Sequence, residues 1–339
     1  MTMSSSELSE RSAGGDREAF DGRAVLVTGG LGFIGSALTI RLKRAGAEIH
    51  TVSRRPLESL GEGRHWRANL SDTDAVVRLV RGVRPHFVFH LASHVMGAPD
   101  LHHVLPTFQS NLQTTVNLLS ALAEVGCGRM IIAGSLVEPE NGGRTIPNSP
   151  YAAAKWAASD YARMFHALYG FPVAIARVFM VYGPGQQDET KLVPYVIRSV
   201  LRGEPPKITS GKHCIDWIFV EDVVSGLMKL AVASGVDGKS VDLGSGLVIA
   251  TKELVDKICM LMKTEIQPAY GALADRPLEP LRVANTKESL RLIGWSPRIP
   301  LAEGLRRTID WYGLHPSEMM DSAGAARNGS MRSDESLTK

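Results

Sequence analysis

Apolar residues fall in short blocks separated by longer amphipathic stretches. Ala24-Val25-Leu26-Val27, Glu48 to Val52, Phe87-Val88-Phe89-His90-Leu91, Met130-Ile131-Ile132-Ala133 and Val173 to Arg177 each read as a strand. Between them, Phe33 to Ala45, Ala75 to Val80, 104–125 and Pro150 to Leu168 read as helices. Short apolar strands alternating with helices predict a parallel sheet covered on both faces, with right-handed crossovers. From about Gly183 the order is less regular. Tyr182-Gly183-Pro184-Gly185 and Gly203-Glu204-Pro205-Pro206 break the pattern, 219–232 and 251–262 read as helices, and Ser240-Val241-Asp242-Leu243 reads as a strand returning to the main sheet. The prediction is an α/β chain in which residues 21–182 mainly form a doubly wound nucleotide-binding domain. Residues 183–315 mainly form a smaller C-terminal substrate lobe with returns to the main sheet. Residues 1–20 and 316–339 are polar, lack an apolar period and are expected to be disordered tails.

The first strand runs into Thr28-Gly29-Gly30-Leu31-Gly32-Phe33-Ile34-Gly35. Three glycines between a strand and a helix suit a dinucleotide: Gly29 for a tight turn, Gly32 for close approach to a pyrophosphate, Gly35 for helix packing. Phe33 and Ile34 then stand at a helix N-terminus, where free N–H groups receive phosphate. This Rossmann-type turn should be followed, at the tip of the second strand, by the residues that read the adenosine ribose. That tip is Ser53-Arg54-Arg55 and has no carboxylate. Arginines at that place hold a 2′-phosphate, so the expectation is NADPH rather than NADH. Asn69 and Leu70, after a third strand, are expected near the adenine, although Asn69 also fits a plain turn.

Tyr151 and Lys155 share one face of a helix that begins after Ser149-Pro150. An ammonium beside a phenol favours the phenolate, and such a tyrosine donates a proton to a ketone oxygen or removes one from an alcohol. Ser135 closes the strand that starts at Met130, at the carboxyl end where a parallel sheet places its crevice. Glu138 follows three residues later, as a substrate contact or a local cap.

Composition narrows the field. Hydrophobic residues are 44% of the 339 and charged residues 22%, enough for a substantial core. A net charge of +3 gives no support to nucleic-acid binding. The three cysteines are widely spaced, and His90, His94, His102 and His103 form no clear ligand face, so neither a disulfide framework nor a metal site is expected. No signal peptide or membrane span is apparent, and the expected location is cytoplasmic.

Taken together, these blocks resemble the extended short-chain dehydrogenases/reductases, in the nucleotide-sugar epimerase, dehydratase and ketoreductase branch. The resemblance spans about residues 22–312 and rests on the glycine turn, Ser135, Ser149-Pro150-Tyr151 with Lys155, Arg177 to Gly185, Asp216 to Val223 and Lys287 to Pro297. It implies Ser135, Tyr151 and Lys155 as the catalytic set and a nucleotide sugar as substrate. It further implies Leu91, Ala92 and Ser93 along the cofactor, and Asn111 helping to hold the active-site lysine and cofactor. A homodimer through a four-helix contact also follows.

The departures bear on the reaction. Dehydratases of this branch carry an acidic pair after the catalytic threonine, where this chain has Leu136-Val137. Met180 and Ile215 stand where the branch has a substrate-binding Asn and a phosphate-binding Arg. Arg276 matches a further phosphate-binding arginine, with Lys207, Lys212, His213 and Arg282 as possible compensation and Met96 on the crevice wall. With Arg54 and Arg55, these features point to an NADPH-dependent ketoreductase acting on a nucleotide-linked 4-keto-6-deoxyhexose. A nucleotide-sugar epimerase with tightly bound NAD(P) is the alternative, and a catalytically silent NAD(P)-binding protein the bland one.

Overall fold

The computed structural model describes residues 15–54, 63–138, 146–275 and 281–315. Along the chain come β1 (Ala24–Thr28), α1 (Phe33–Arg44), β2 (Glu48–Ser53), β3 (Arg64–Arg67), α2 (Thr73–Val83) and β4 (Phe87–His90). After a 3-10 turn, α3 (Val104–Thr107) leads through a π-helical segment, Phe108–Gln113, into α4 (Thr114–Val125). Then follow β5 (Arg129–Ser135), α5 (Pro150–Tyr169), β6 (Val173–Val178), β7 (Met180–Tyr182), α6 (Leu192–Leu201), β8 (Lys207–Ile208), β9 (Cys214–Phe219) and α7 (Val220–Val232). The chain ends with β10 (Ser240–Leu243), β11 (Val248–Ala250), α8 (Thr251–Leu261), β12 (Ala269–Tyr270), α9 (Thr286–Ile293) and α10 (Leu301–Leu314).

Seven strands form one sheet in the order β3-β2-β1-β4-β5-β6-β10, every pair parallel. Its two faces bury separate cores. Leu26, Val88, Met130 and Ile175 point to the side covered by α2, α4 and α5, whereas Val25, Phe89, Ile131 and Ala176 point to the side covered by α1 and α7. This period-two division explains why the strands read as unbroken apolar runs. A third core lies in the lobe, where Tyr182, Val196, Trp217, Phe219, Leu254 and Leu305 pack over the small sheet β11-β9-β7. The expected α/β architecture, a Rossmann-like parallel sheet with a second, smaller lobe, is present.

Two local expectations need correction. Residues 15–20 are helical rather than disordered: Phe20 is buried with its ring 5.0 Å from that of Phe87, and Asp16 pairs with Arg41 at 2.7 Å. One aromatic was enough to dock a stretch of otherwise polar composition. The third strand is Arg64–Arg67, and Asn69 and Leu70 follow it in the turn before α2, as expected. The helix over 104–125 is broken by its π-helical segment. Among the described residues, no helix is long and apolar enough to cross a membrane.

Candidate active site

The sheet order reverses between β1 and β4, and the crevice beyond their carboxyl ends is where a doubly wound fold receives its ligand. Gly29, just past β1, has φ +68°, and a Cβ there would meet the Ala92 backbone nitrogen at 2.7 Å. A Cβ on Gly35 would overlap the Gly29 carbonyl oxygen. The turn and the first coil of α1 therefore close on each other with no room for side chains. Gly32 is the N-cap of α1, no side chain caps it, and the first turn carries no acidic residue. The N–H groups of this helix end, around Phe33 and Ile34, are left for an anion, and the cradle fits a dinucleotide diphosphate.

A buried hydrogen-bonded chain sets the shape of this crevice. Thr28 Oγ1 accepts from the Ala92 N–H (3.1 Å) and lies 2.7 Å from His90 Nδ1. His90 Nε2 lies 3.1 Å from Thr115 Oγ1, whose hydroxyl donates to the Asn111 carbonyl at 2.7 Å. Because the Thr115 proton is committed to Asn111, His90 donates from Nε2 and accepts at Nδ1. Burial holds this imidazole neutral, its pKa pushed down to about 3, with Lys155 adding to the shift. Asn111, buried in the π-helical segment, accepts from the His94 N–H (2.7 Å) and the Ser93 hydroxyl (3.1 Å) and donates to the His94 carbonyl (3.1 Å). Its side chain thus fixes the loop that follows Leu91 and Ala92, at Ser93 and His94. Thr28, His90 and Thr115 were missed as functional positions, although polar residues ending two apolar strands were the available signal.

The tip of β2 is less informative than expected. Arg54 is exposed, and Ser53 Oγ lies 3.1 Å from His65 Nε2. Arg55 and Arg276 fall outside the described residues. Asn69 turns its side chain to the Ser71 N–H at 3.2 Å, the plain turn role, and Leu70 packs into the core.

Ser149 caps α5 by accepting from the Ala152 N–H at 3.2 Å, and Pro150 occupies the first turn, which delivers Tyr151 and Lys155 to the crevice. The Ser135 and Ser93 hydroxyls lie within hydrogen-bonding reach of the Tyr151 phenol. Lys155 Nζ donates to the Ala133 carbonyl at 2.7 Å and sits 5.9 Å from the centre of the Tyr151 ring. Burial dominates both groups. It pushes the phenol up to about 12, with Glu138 adding to the rise and the two serines opposing it. It pulls the ammonium down to about 8, with Glu138 opposing. The expected depression of the tyrosine by the lysine is therefore absent: the ammonium is aimed at a carbonyl of β5, and desolvation of the phenolate outweighs any charge attraction.

Glu138 does not face the crevice. Its Oε1 accepts from the Ser135 N–H at 2.6 Å, the residue is 2% exposed, and burial raises its pKa, opposed by Ser159, the Ser135 amide, Arg177 and Lys155. The substrate contact considered for it gives way to the local cap. Arg282 is on backbone as well, donating to the carbonyls of Leu136 (3.0 Å) and Glu138. Met180 and Ile215, in β7 and β9, pack against the lobe core, whereas Met96 is exposed on the loop beyond β4. Among the described residues, no group of three His, Cys, Asp or Glu is placed to hold a metal ion.

The sequence profile of the NAD dependent epimerase/dehydratase family matches residues 25–244, from β1 to just past β10. The chain belongs to this family. Among its relatives, a probable dTDP-glucose 4,6-dehydratase of Sinorhizobium fredii is 32% identical over 327 residues, covering 85% of this chain and 92% of that one. A UDP-glucose 4-epimerase of Mycolicibacterium smegmatis is 27% identical and covers 85% and 97%. Among solved structures, the Bordetella bronchiseptica enzyme WbmF in complex with NADH is 25% identical, with TM-score 0.79 over 91% of this chain and 98% of that one. MoeE5 in complex with UDP-glucuronic acid and NAD is 30% identical, with TM-score 0.76 over 86% and 99%. An NAD(P)-dependent oxidoreductase of the epimerase/dehydratase branch is the activity class these likenesses support.

Membership of the epimerase/dehydratase family overturns the expectation of an NADPH-dependent ketoreductase. The relatives are dehydratases and epimerases, and the structural neighbours hold NAD or NADH. The error has a physical source. A guanidinium stacks on a flat aromatic face as readily as it forks a phosphate, so arginines in place of a carboxylate do not by themselves select the 2′-phosphate.

Proposed function

We propose that this chain is a nucleotide-sugar epimerase that retains NAD through its cycle. When bound, NAD supplies a reversible hydride acceptor beside the sugar. The chain's own residues supply the rest. Acting from its phenolate form, Tyr151 takes the proton of the sugar hydroxyl as the carbon is oxidised and gives it back when the carbon is reduced, with the Ser135 hydroxyl sharing the same oxygen. Burial holds the phenol neutral in the unliganded chain, and the positive charge of a bound oxidised nicotinamide would favour the phenolate. An ammonium has three donors, and Lys155 spends one on Ala133; the others would be available to the ribose hydroxyls of a bound cofactor. The glycine turn and the N-terminus of α1 hold the diphosphate.

The observation that carries epimerisation over dehydration is the direction of Glu138. Removing water from a sugar requires an acid and a base at the reacting carbons. In the described part of the loop after Ser135, Leu136 and Val137 are apolar, and the only carboxylate is turned onto a backbone amide. Incubation with UDP- and dTDP-hexoses, followed by chromatography and mass spectrometry, tests this reading. The expected product has inverted stereochemistry, unchanged mass and no net change in nicotinamide absorbance. A product lighter by one water would make the chain a dehydratase.

The functional unit we infer is a homodimer. Pro99, Val104, Phe108, Leu112, Pro147, Pro150, Ala153 and Ala157 line an apolar groove between the 99–112 segment and α5. Leu101 (83%), Leu105 (68%) and Phe108 (48%) lie exposed on the same stretch. Two copies joined there would form a four-helix contact and remove this surface from water.

A further inference from the structure

We propose that Glu138 and Arg282 are positioning residues that clamp the catalytic-serine loop from two sides, Arg282 tying it to a distant segment of the chain. The proposal rests on the reading of Ser135 as a catalytic residue and goes beyond it.

The chain leaves β5 at Ser135 in a turn over 136–138. Glu138 supplies the inner hold: its carboxylate accepts from the Ser135 N–H at 2.6 Å, and its own N–H donates to the Ser135 carbonyl at 3.1 Å. Both main-chain groups of the serine are thus met by one residue. A carboxylate on a backbone N–H makes a charge-assisted bond, stronger and more directional than a neutral one. Gly134 leaves space for it, since a Cβ there would meet Glu138 Oε1 at 2.7 Å.

Arg282 supplies the outer hold. Its Nη1 donates to the Leu136 carbonyl at 3.0 Å and to the Glu138 carbonyl, across a sequence separation of 146 and 144 residues. A guanidinium between two carbonyls fixes the direction of the intervening backbone. The segment bearing Arg282 is itself pinned. The Ala284 N–H donates to Asp216 Oδ2 at 3.0 Å, and the Asn285 N–H donates to Asp242 Oδ2 at 3.0 Å. Asp216 is buried and also accepts from the backbone of Ser245 (2.7 Å) and Gly246 (3.0 Å), while Asp242 pairs with Arg177 at 2.8 Å. The carboxylates of β9, in the lobe, and β10, in the main sheet, therefore set where Arg282 stands, and Arg282 sets where the loop after Ser135 stands.

Hydrogen exchange by mass spectrometry on the purified full-length chain, without added sugar, tests the clamp directly. Arg282→Met and Glu138→Ala are expected to speed exchange of the amides at 135–138 and to leave β1 and β4 unchanged. Arg282→Lys, which still donates to both carbonyls, restores protection. With UDP-glucose as substrate, Arg282→Met should lower kcat by about 10²-fold, the loss typical of a small misplacement of a reacting group, at a KM close to that of the parent. Unchanged exchange at 135–138 in Arg282→Met would overturn the proposal. So would a raised KM with intact kcat, which would put the guanidinium on the substrate. Exchange is read without sugar, so a parent chain inactive on UDP-glucose would count against the epimerase reading and leave the exchange result to decide the clamp.

Discussion

Tyr151 and Lys155 face the same difficulty: each must hold a charge in a crevice that disfavours it. The phenol is held up near 12 and the ammonium down near 8. Tyr151→Phe keeps the ring and removes the proton carrier, and turnover should fall by about 10²–10⁴-fold with NAD binding preserved. Stopped-flow kinetics and nicotinamide fluorescence separate the two effects. For Lys155 the stability consequence has a definite sign. Its folded-state pKa lies below the ordinary 10.5, so the unfolded chain holds the proton more firmly. The burden is complete below pH 8 and fades as pH rises toward 10.5. Lys155→Met should therefore stabilise the fold at pH 7 by about 2 kcal/mol once the lost bond to Ala133 is discounted, while turnover disappears. Melting curves at pH 7 and pH 10 check both the sign and its decline. Ser135, Tyr151 and Lys155 were legible in the sequence because their spacing against strand and helix determines where they emerge. For Glu138 the local cap was legible only as one of two alternatives, and the bond of Arg282 to the loop was not, because a partner some 140 residues away leaves no local pattern.

At the scale of elements, β1, β4 and the helical run 104–125 are joined by one imidazole. His90 is neutral in the fold, so acid acts through the unfolded state: below pH 6.5 the unfolded chain binds a proton that the native one refuses down to about pH 3. Its contribution is whole above pH 6.5 and is lost through that window at up to about 1.4 kcal/mol per pH unit. His90→Asn removes the titration. Urea unfolding at pH 7, 6, 5 and 4 should show a less stable variant at pH 7, by about 1–3 kcal/mol for the orphaned hydroxyl partners, with a flatter acid limb. Parallel slopes in parent and variant would assign the acid sensitivity elsewhere. The main strands and helices could be read from their periods. The π-helical segment could not, since one extra residue per turn barely disturbs an apolar repeat, yet it carries Asn111 to the loop at 93–94. The lobe strands β8 and β12, of two residues each, are too short to show any period.

For the whole molecule, the homodimer proposed at the groove beside α5 has a direct test. Leu105→Glu with Val104→Glu places two carboxylates on the apolar stretch outside the π-helical segment. Sedimentation velocity should show the parent at twice the chain mass and the variant at the chain mass, with little change in melting of the isolated fold. The absence of a single boundary between sheet and lobe was legible, because Ser240-Val241-Asp242-Leu243 had the apolar run of a sheet strand within an otherwise irregular stretch. The chain leaves the main sheet for β7 and β9 and returns for α7 and β10. It leaves again for β11 and α8, returns for α9 and ends in α10 over the lobe. This stitching has a consequence for inheritance. A single crossover between β6 and β7 would carry the lobe from one gene to another only together with α7, β10 and α9, so a foreign lobe would arrive with a foreign edge of the main sheet. Exchange of the lobe between relatives therefore tests the fit of α7, β10 and α9 against β6 and α1 as much as it tests the lobe itself.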